Sequence, residues 1–315
     1  MARFWKCGIV VAAVTLVFVG TSSAAPIYYN VGAAGGLGTV PDANTLSSVF
    51  NQLTLFADTT TTQYDTVGPA GFSVGDKFSD KGNAVITNGI PIGDTEGVGS
   101  PAAEITIAWD VLTGTTTAIT PITTGPLTGG QNTIINYDSG AIFHFFHQEP
   151  ANCLFGAIGA GDNTGCGDGT PVLDVMVTGG SGNNTFGPTG QFVTGSSNLQ
   201  GKVVSALPGF WFFAGADGLA GTADDVDFAL LVGLGINVTA LVDQNTNNVA
   251  TIPCPNPACA PAPPGFGPPL FAIQSDHDGS LVFAAAVPEP ATLLLLGAGL
   301  LSVAGIRHLR RRHTC

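Results

Sequence analysis

The sequence predicts an all-β body, a β-sandwich or jelly-roll-like ectodomain, with a secretory leader before it and a single transmembrane helix after it. Three observations carry this. The chain has 44 glycines among its 315 residues and is rich in Thr, Val and Asn, a composition that suits strands joined by turns and disfavours long helices. The stretch EITIAWDVLTG alternates, with Ile105, Ile107 and Trp109 on one face and Glu104, Thr106 and Ala108 on the other, the period of a half-buried strand. No ten-residue segment of the body keeps a helical period, and turn signals recur about every 8–12 residues.

In chain order, residues 1–24 read as a signal peptide. Arg3 and Lys6 form its positive start, Gly8 to Val19 its apolar segment, and Ser22-Ser23-Ala24 its small-residue cleavage site, with Ala24 the last residue removed. Cys7 precedes the apolar segment, where a lipid-modified cysteine does not occur. The ectodomain then runs over 25–286. IYYNV, NQLTLFAD and the threonine run to Tyr64 have strand composition, as do AVITNGIPI, NTIINYD and AIFHFFHQE. Asp138-Ser139-Gly140, between the last two, suggests a short hairpin. VLDVMVTG, GQFVTG, GKVVSAL, GFWFFAG and VDFALLVGLGINVTALV are further strands, and one internal domain boundary near Tyr137 is an option. Residues 253–269, PCPNPACAPAPPGFGPP, cannot pair within a sheet and form a loop or stiff spacer. PLFAIQSD and GSLVFAAA return to the sheet as a hairpin turning at Asp276 to Gly279.

Charge excludes one class of partner. Of nine basic residues only Lys77, Lys81 and Lys202 lie in the ectodomain, whereas of 22 acidic residues all but Glu289 do. The resulting 21 against three, about −18 net, offers no basic face to nucleic acid. Asp dominates over Glu, which points to turns and cation loops more than to helix surfaces.

The last segment, 287–315, has three parts in order. VPEP places two prolines that hold the backbone extended. Residues 291–306 are uncharged and apolar, at the short edge of the roughly 17–25 residues a membrane-spanning helix needs. The tail 307–315 opens with Arg307, Arg310, Arg311 and Arg312, a flank that stays cytoplasmic and leaves the ectodomain on the far side. This tail resembles the PEP-CTERM sorting signal of Gram-negative bacteria, with Pro288, Glu289 and Pro290 at its defining positions. The resemblance implies recognition by a membrane-embedded exosortase and cleavage near Pro-Glu-Pro. An inner-membrane intermediate then gives way to release or attachment at the cell surface or in the extracellular matrix. Such proteins are associated with exopolysaccharide, biofilm or floc formation. The resemblance does not assign the ectodomain.

Four cysteines remain in the exported body. Their spacing favours Cys153–Cys166 and Cys254–Cys259 disulfides, out of three connectivities. On the chain-entropy view the first loop adds about 3 kcal/mol and the second about 2 kcal/mol. A zinc site is the poorer reading, because CPNPAC has no second close pair or His partner. The sharpest ligand candidate is GADGLAGTADDVDF, whose Asp217, Asp224, Asp225 and Asp227 fall within 11 residues. Calcium takes six to eight such oxygens on a turning backbone. The loop resembles Asp-Gly…Gly-Thr…Asp-Asp segments of secreted bacterial β-proteins, but Phe228 stands where an EF-hand has its bidentate Glu. The alternative is a solvated turn. Asp162, Asn163 and Asp168 form a weaker candidate, and DHDG at 276–279 a weaker one still. His144 and His147 point to opposite faces of a strand and cannot share a metal; one aromatic core face explains that segment.

The chain contains no Gly-x-Ser-x-Gly elbow, HExxH, P-loop or dinucleotide fingerprint. The expected function is therefore a non-enzymatic surface or matrix protein, handled by the general secretion machinery and exosortase, and structural or adhesive in exopolysaccharide. The alternative is a calcium-dependent carbohydrate-binding module in which Trp109 and Trp211, if exposed, stack on sugar rings. A β-fold glycosidase or lyase stands third, since paired carboxylates are set by spatial separation.

Overall fold

The computed structural model describes residues 24–35, 45–67, 72–91, 103–154, 165–254 and 259–285, and within them the side chains of 243–249 are left aside. The leader up to residue 23, the VPEP box, the apolar run 291–306, the arginine tail, Asp162 and Asn163 lie outside the described residues. No helix among the described residues is long and apolar enough to cross a membrane. Ala24 is exposed, and the next residue, Ala25, is already docked, its N–H donating to the Phe283 carbonyl at 3.0 Å.

The described elements are β1 (Ile27–Tyr29), α1 (Val31–Ala34), β2 (Gln52–Tyr64), β3 (Lys77–Ile90), β4 (Glu104–Pro121), β5 (Gln131–Tyr137), β6 (Ile142–Gln148), β7 (Thr170–Phe186) and β8 (Phe192–Ala206). They continue with β9 (Trp211–Phe213), β10 (Val226–Asp227), α2 (Phe228–Leu231), β11 (Ile236–Pro253) and β12 (Pro269–Ala285). The all-β antiparallel class expected from the sequence is the class observed. Within it, the strands do not divide into the two facing sheets of a sandwich or jelly roll. β2 pairs with β3, β3 with β4, β4 with β5 and β6, these with β7, then β8, β11 and β12 follow, and β12 pairs back to β2. Every pairing is antiparallel, so the sheet is an up-and-down barrel with eight positions around it. Among the described residues, closure leaves no long hydrogen-bonding edge of the barrel exposed.

Two expected hairpins are absent, for one reason. β5 and β6 run in the same direction, both antiparallel to β4 and both paired with β7, so they are one strand interrupted at 138–141. The Asp138 N–H donates to Thr113 O and the Gly140 N–H to Val177 O, which hold the interruption between its two neighbours. Gly140 takes φ +111°, a backbone that only glycine adopts easily, and so kinks the strand without turning it back. The chain on both sides of Tyr137 therefore pairs with the same strands of one barrel. Likewise DHDG is not a hairpin tip. β12 is continuous, with His277 opposite Ala57 of β2 and Gln244 of β11, and Gly279 opposite Leu55 and Val242. A long partner on each side keeps a turn-like sequence extended.

Alternation decides what lies inside. Leu53, Leu55 and Ala57 of β2, Ile105 and Ile107 of β4, Phe145 of β6, Val175 and Val177 of β7, and Leu281 and Phe283 of β12 are buried and share one core cluster. Most outward residues at the far ends of neighbouring strands are polar: Asn132 and Asn136 on β5, Ser181 and Asn183 on β7, and Thr194, Ser196 and Asn198 on β8 are exposed, with Ile134 of β5 the apolar exception among them. That is the reverse of a lipid-facing barrel, which is apolar outside. A small sheet, β1-β9-β10, plugs one end with rings. Tyr29, Phe50, Phe210, Trp211, Phe213 and Phe228 are buried there against Phe283. The stretch expected as one strand from Val226 to Val242 thus breaks into β10, the short α2 and β11. Asp227 caps α2 by accepting from the Ala229 N–H at 2.8 Å.

Both expected disulfides are formed. Cys153–Cys166 is tacked to the outer face of β4. The buried Glu104 carboxylate accepts from the N–H groups of Asn152 and Cys153, and Thr106 Oγ1 donates to Cys166 O. The proline-rich loop, closed by Cys254–Cys259, lies along β2: Tyr64 OH donates to Ala260 O, and the Phe266 ring meets Tyr64 edge-on at 5.3 Å.

Candidate functional site

The barrel interior is a site that sequence reading missed. Between the ring plug at one end and Phe72, Phe186 and Phe271 at the other lies a cavity of about 120 Å³. Its wall takes one inward side chain in two from each strand. The apolar part includes Phe78, Phe143 and Leu112, and the polar part Asp80, Tyr137, Ser197 and His277.

Asp80 is 8% exposed. Its Oδ1 accepts from Trp109 Nε1 at 2.7 Å and its Oδ2 from Thr61 Oγ1 at 2.6 Å. Burial nonetheless pushes its pKa up to about 6, because these two bonds do not replace the lost hydration of a carboxylate. His277 is 6% exposed. Its Nε2 lies 2.7 Å from Thr59 Oγ1 and 3.0 Å from Ser275 Oγ, and burial lowers its pKa to about 4. Its Nδ1 is buried without a hydrogen-bond partner. Tyr137 OH lies 2.6 Å from Ser197 Oγ, and burial pushes its pKa well above the usual phenol value. Gly82 keeps the wall thin beside Trp109. A Cβ there would stand 2.7 Å from Trp109 Cζ2 and 2.6 Å from Asp58 O, so Gly82→Ala is expected to cost about 1–3 kcal/mol in urea unfolding.

Of the four carboxylates expected in the acidic loop, the structure brings three together. Oxygens of Asp217, Asp224 and Asp225 lie within 4.8 Å of one another, while Asp227 is turned away to cap α2 and to accept from the Gly209 N–H. The three are already engaged by the loop itself. Asp224 accepts from Ala216 N and Thr222 Oγ1, Asp217 from Leu219 N, and Asp225 from Gly215 N, Thr222 N and Tyr28 OH. The Thr222 bond holds the Asp224 carboxyl below its usual pKa. The arrangement therefore serves as a turn cap and also presents carboxylate oxygens of the kind calcium takes.

The tryptophans correct an expectation. Trp109 is 7% exposed and Trp211 is fully buried, so neither presents a ring to a sugar. Their inward positions follow from alternation in β4 and from the plug in β9. His144 faces outward with Nδ1 2.8 Å from Asp174 Oδ1, and His147 faces inward beside Phe210, on opposite faces as expected. Asp168 lines a surface recess with His147 and Glu149.

Residues 286–312 match the family model of the PEP-CTERM protein-sorting motif. The chain carries this sorting motif. The PEP-CTERM motif covers Pro288, Glu289, Pro290 and the four arginines. It implies an exported chain that passes through a membrane-anchored intermediate, is processed by exosortase and reaches the surface. No curated protein and no solved structure matches the chain.

Proposed function

We propose that this PEP-CTERM chain is a non-enzymatic component of the cell surface or extracellular matrix, structural or adhesive in exopolysaccharide, biofilm or floc. The sorting motif is the observation that carries the reading. The barrel's outer face supports it. Exposed Asn, Ser and Thr side chains on β5, β7 and β8 form a band of uncharged donors and acceptors, suited to a hydrated neutral polymer. The purified chain should co-sediment with the producer's own exopolysaccharide, and cells lacking the gene should flocculate less. A chain that binds no polysaccharide, together with normal flocculation in the deletion strain, overturns the reading.

Calcium-dependent carbohydrate binding is the second reading, favoured by the convergence of Asp217, Asp224 and Asp225. Calorimetry with calcium and glycans decides it: Asp224→Ala and Asp225→Ala should each abolish the heat, and a heat that survives both removes the loop from the mechanism.

Processing has its own test. Intact mass of surface-extracted protein should show loss of residues 1–24 and of the segment after Pro-Glu-Pro. Without reduction it should be about 4 Da lighter than after it, the mass of four thiol hydrogens. A full-length mass with both ends present contradicts processing.

A further inference from the structure

Three features of the barrel interior play no part in a surface role. The first is a buried acid with no counter-charge. Between Ala25 and Ala286 the chain has three lysines and no arginine. Lys81 and Lys202 are exposed, and Lys77 Nζ lies outside the barrel, 5.1 Å over the Phe266 ring. Among the described residues, none of these cations lines the cavity that Asp80 faces. A buried carboxylate without a cation is among the most costly groups a fold can keep.

The second is the ring of His277. Burial lowers its pKa to about 4, so at neutral pH the ring is uncharged and supplies Asp80 with no counter-charge. Thr59 holds His277 and Thr61 holds Asp80, and both face inward two positions apart on β2. The third feature is the wall near them, which includes the rings of Phe78, Trp109, Tyr137 and Phe143. Ring faces attract cations.

Acceptors, aromatic rings and one uncompensated negative charge describe a ligand that is a cationic donor. We propose that the barrel interior binds a small organic amine as its ammonium ion. The ammonium group pairs with Asp80, and the carbon body packs on the aromatic wall. A cavity of about 120 Å³ limits that body to a short alkyl chain, since holding benzene takes a cavity of roughly 150 Å³.

Calorimetry on the purified chain at neutral pH tests this with propylamine and its uncharged analogue 1-propanol. Propylamine should bind at least tenfold more tightly. Asp80→Asn should lower propylamine affinity at least tenfold and leave 1-propanol within twofold. The comparison of the two ligands on the unaltered chain needs no variant, so it stands even if Asp80→Asn fails to fold. Equal or tighter binding of 1-propanol, no binding of either compound, or propylamine binding indifferent to Asp80→Asn overturns the proposal.

Discussion

Trp211→Ala is expected to lower the stability of the ectodomain by about 4 kcal/mol, the largest single effect in this chain. Trp211 has no exposed surface, and its ring lies 5.5 Å from Tyr29 and Phe210, 6.2 Å from Phe228 and 6.0 Å from Phe283. It joins β9 of the small sheet to β12 of the barrel, so its removal opens a cavity where two sheets meet. Its Nε1 is buried without a partner, so Trp211→Phe, which deletes that orphaned donor, should cost only about 1 kcal/mol. Urea unfolding measures both. The glycan-stacking alternative predicts a different pattern, lost sugar binding with an unchanged midpoint. An unchanged midpoint in Trp211→Ala would rule out its structural role.

The second large effect is a pair of opposite pH dependences. Asp80 is raised to about 6 in the fold from an ordinary 3.8, so the folded state holds the extra proton between these values. Its stabilising contribution is fully present below about pH 4 and is lost as pH rises through about 6. His277 is lowered to about 4 from 6.5, so its contribution is present above about pH 6.5 and is lost as pH falls through about 4. Each amounts to roughly 3 kcal/mol at 1.36 kcal/mol per pH unit, and in the native chain they offset each other between pH 4 and 7. Asp80→Asn should therefore gain on the native chain by up to about 3 kcal/mol across that window, and His277→Gln should lose by a similar amount. Asp58, raised to about 6 by burial and by Asp276, follows the sign of Asp80 and is present in both variants. Urea midpoints at pH 4, 5.5 and 7 read the slopes. Parallel profiles for both variants and the native chain would show that neither group is perturbed by the barrel.

Much of the site escaped the sequence because its signals are not local. Asp80, Trp109 and His277 sit on β3, β4 and β12, and neither Asp80 nor His277 stands out among its sequence neighbours. Asp80 lies in FSDKGN and His277 in SDHDG, stretches whose Asp and Gly content reads as turn. They stay extended because both flanks of each strand are paired. Strand length was hidden in the same way. SGNNTF and GSSNLQG look like strand ends, yet they continue β7 and β8 past the cavity, where small and polar inward residues line the wall. By contrast, the acidic loop was legible, since three of its four aspartates converge within one turn-rich segment with little help from the rest of the fold. Only Asp227 departed, recruited by a helix cap that no spacing announced.

The sequence by itself determined the β class, the pairing of cysteines and the sorting address. Each depends on alternation, on short loops or on a contiguous motif, all of which act over a few residues. The tertiary structure alone decided that the sheet closes, and with it which face is the inside. β2 and β12 meet across more than two hundred residues of chain, and that one pairing turns Asp80 and His277 from surface-like residues into the walls of a cavity. Period-two order tells a residue apart from its neighbour, but only closure says which of the two meets water.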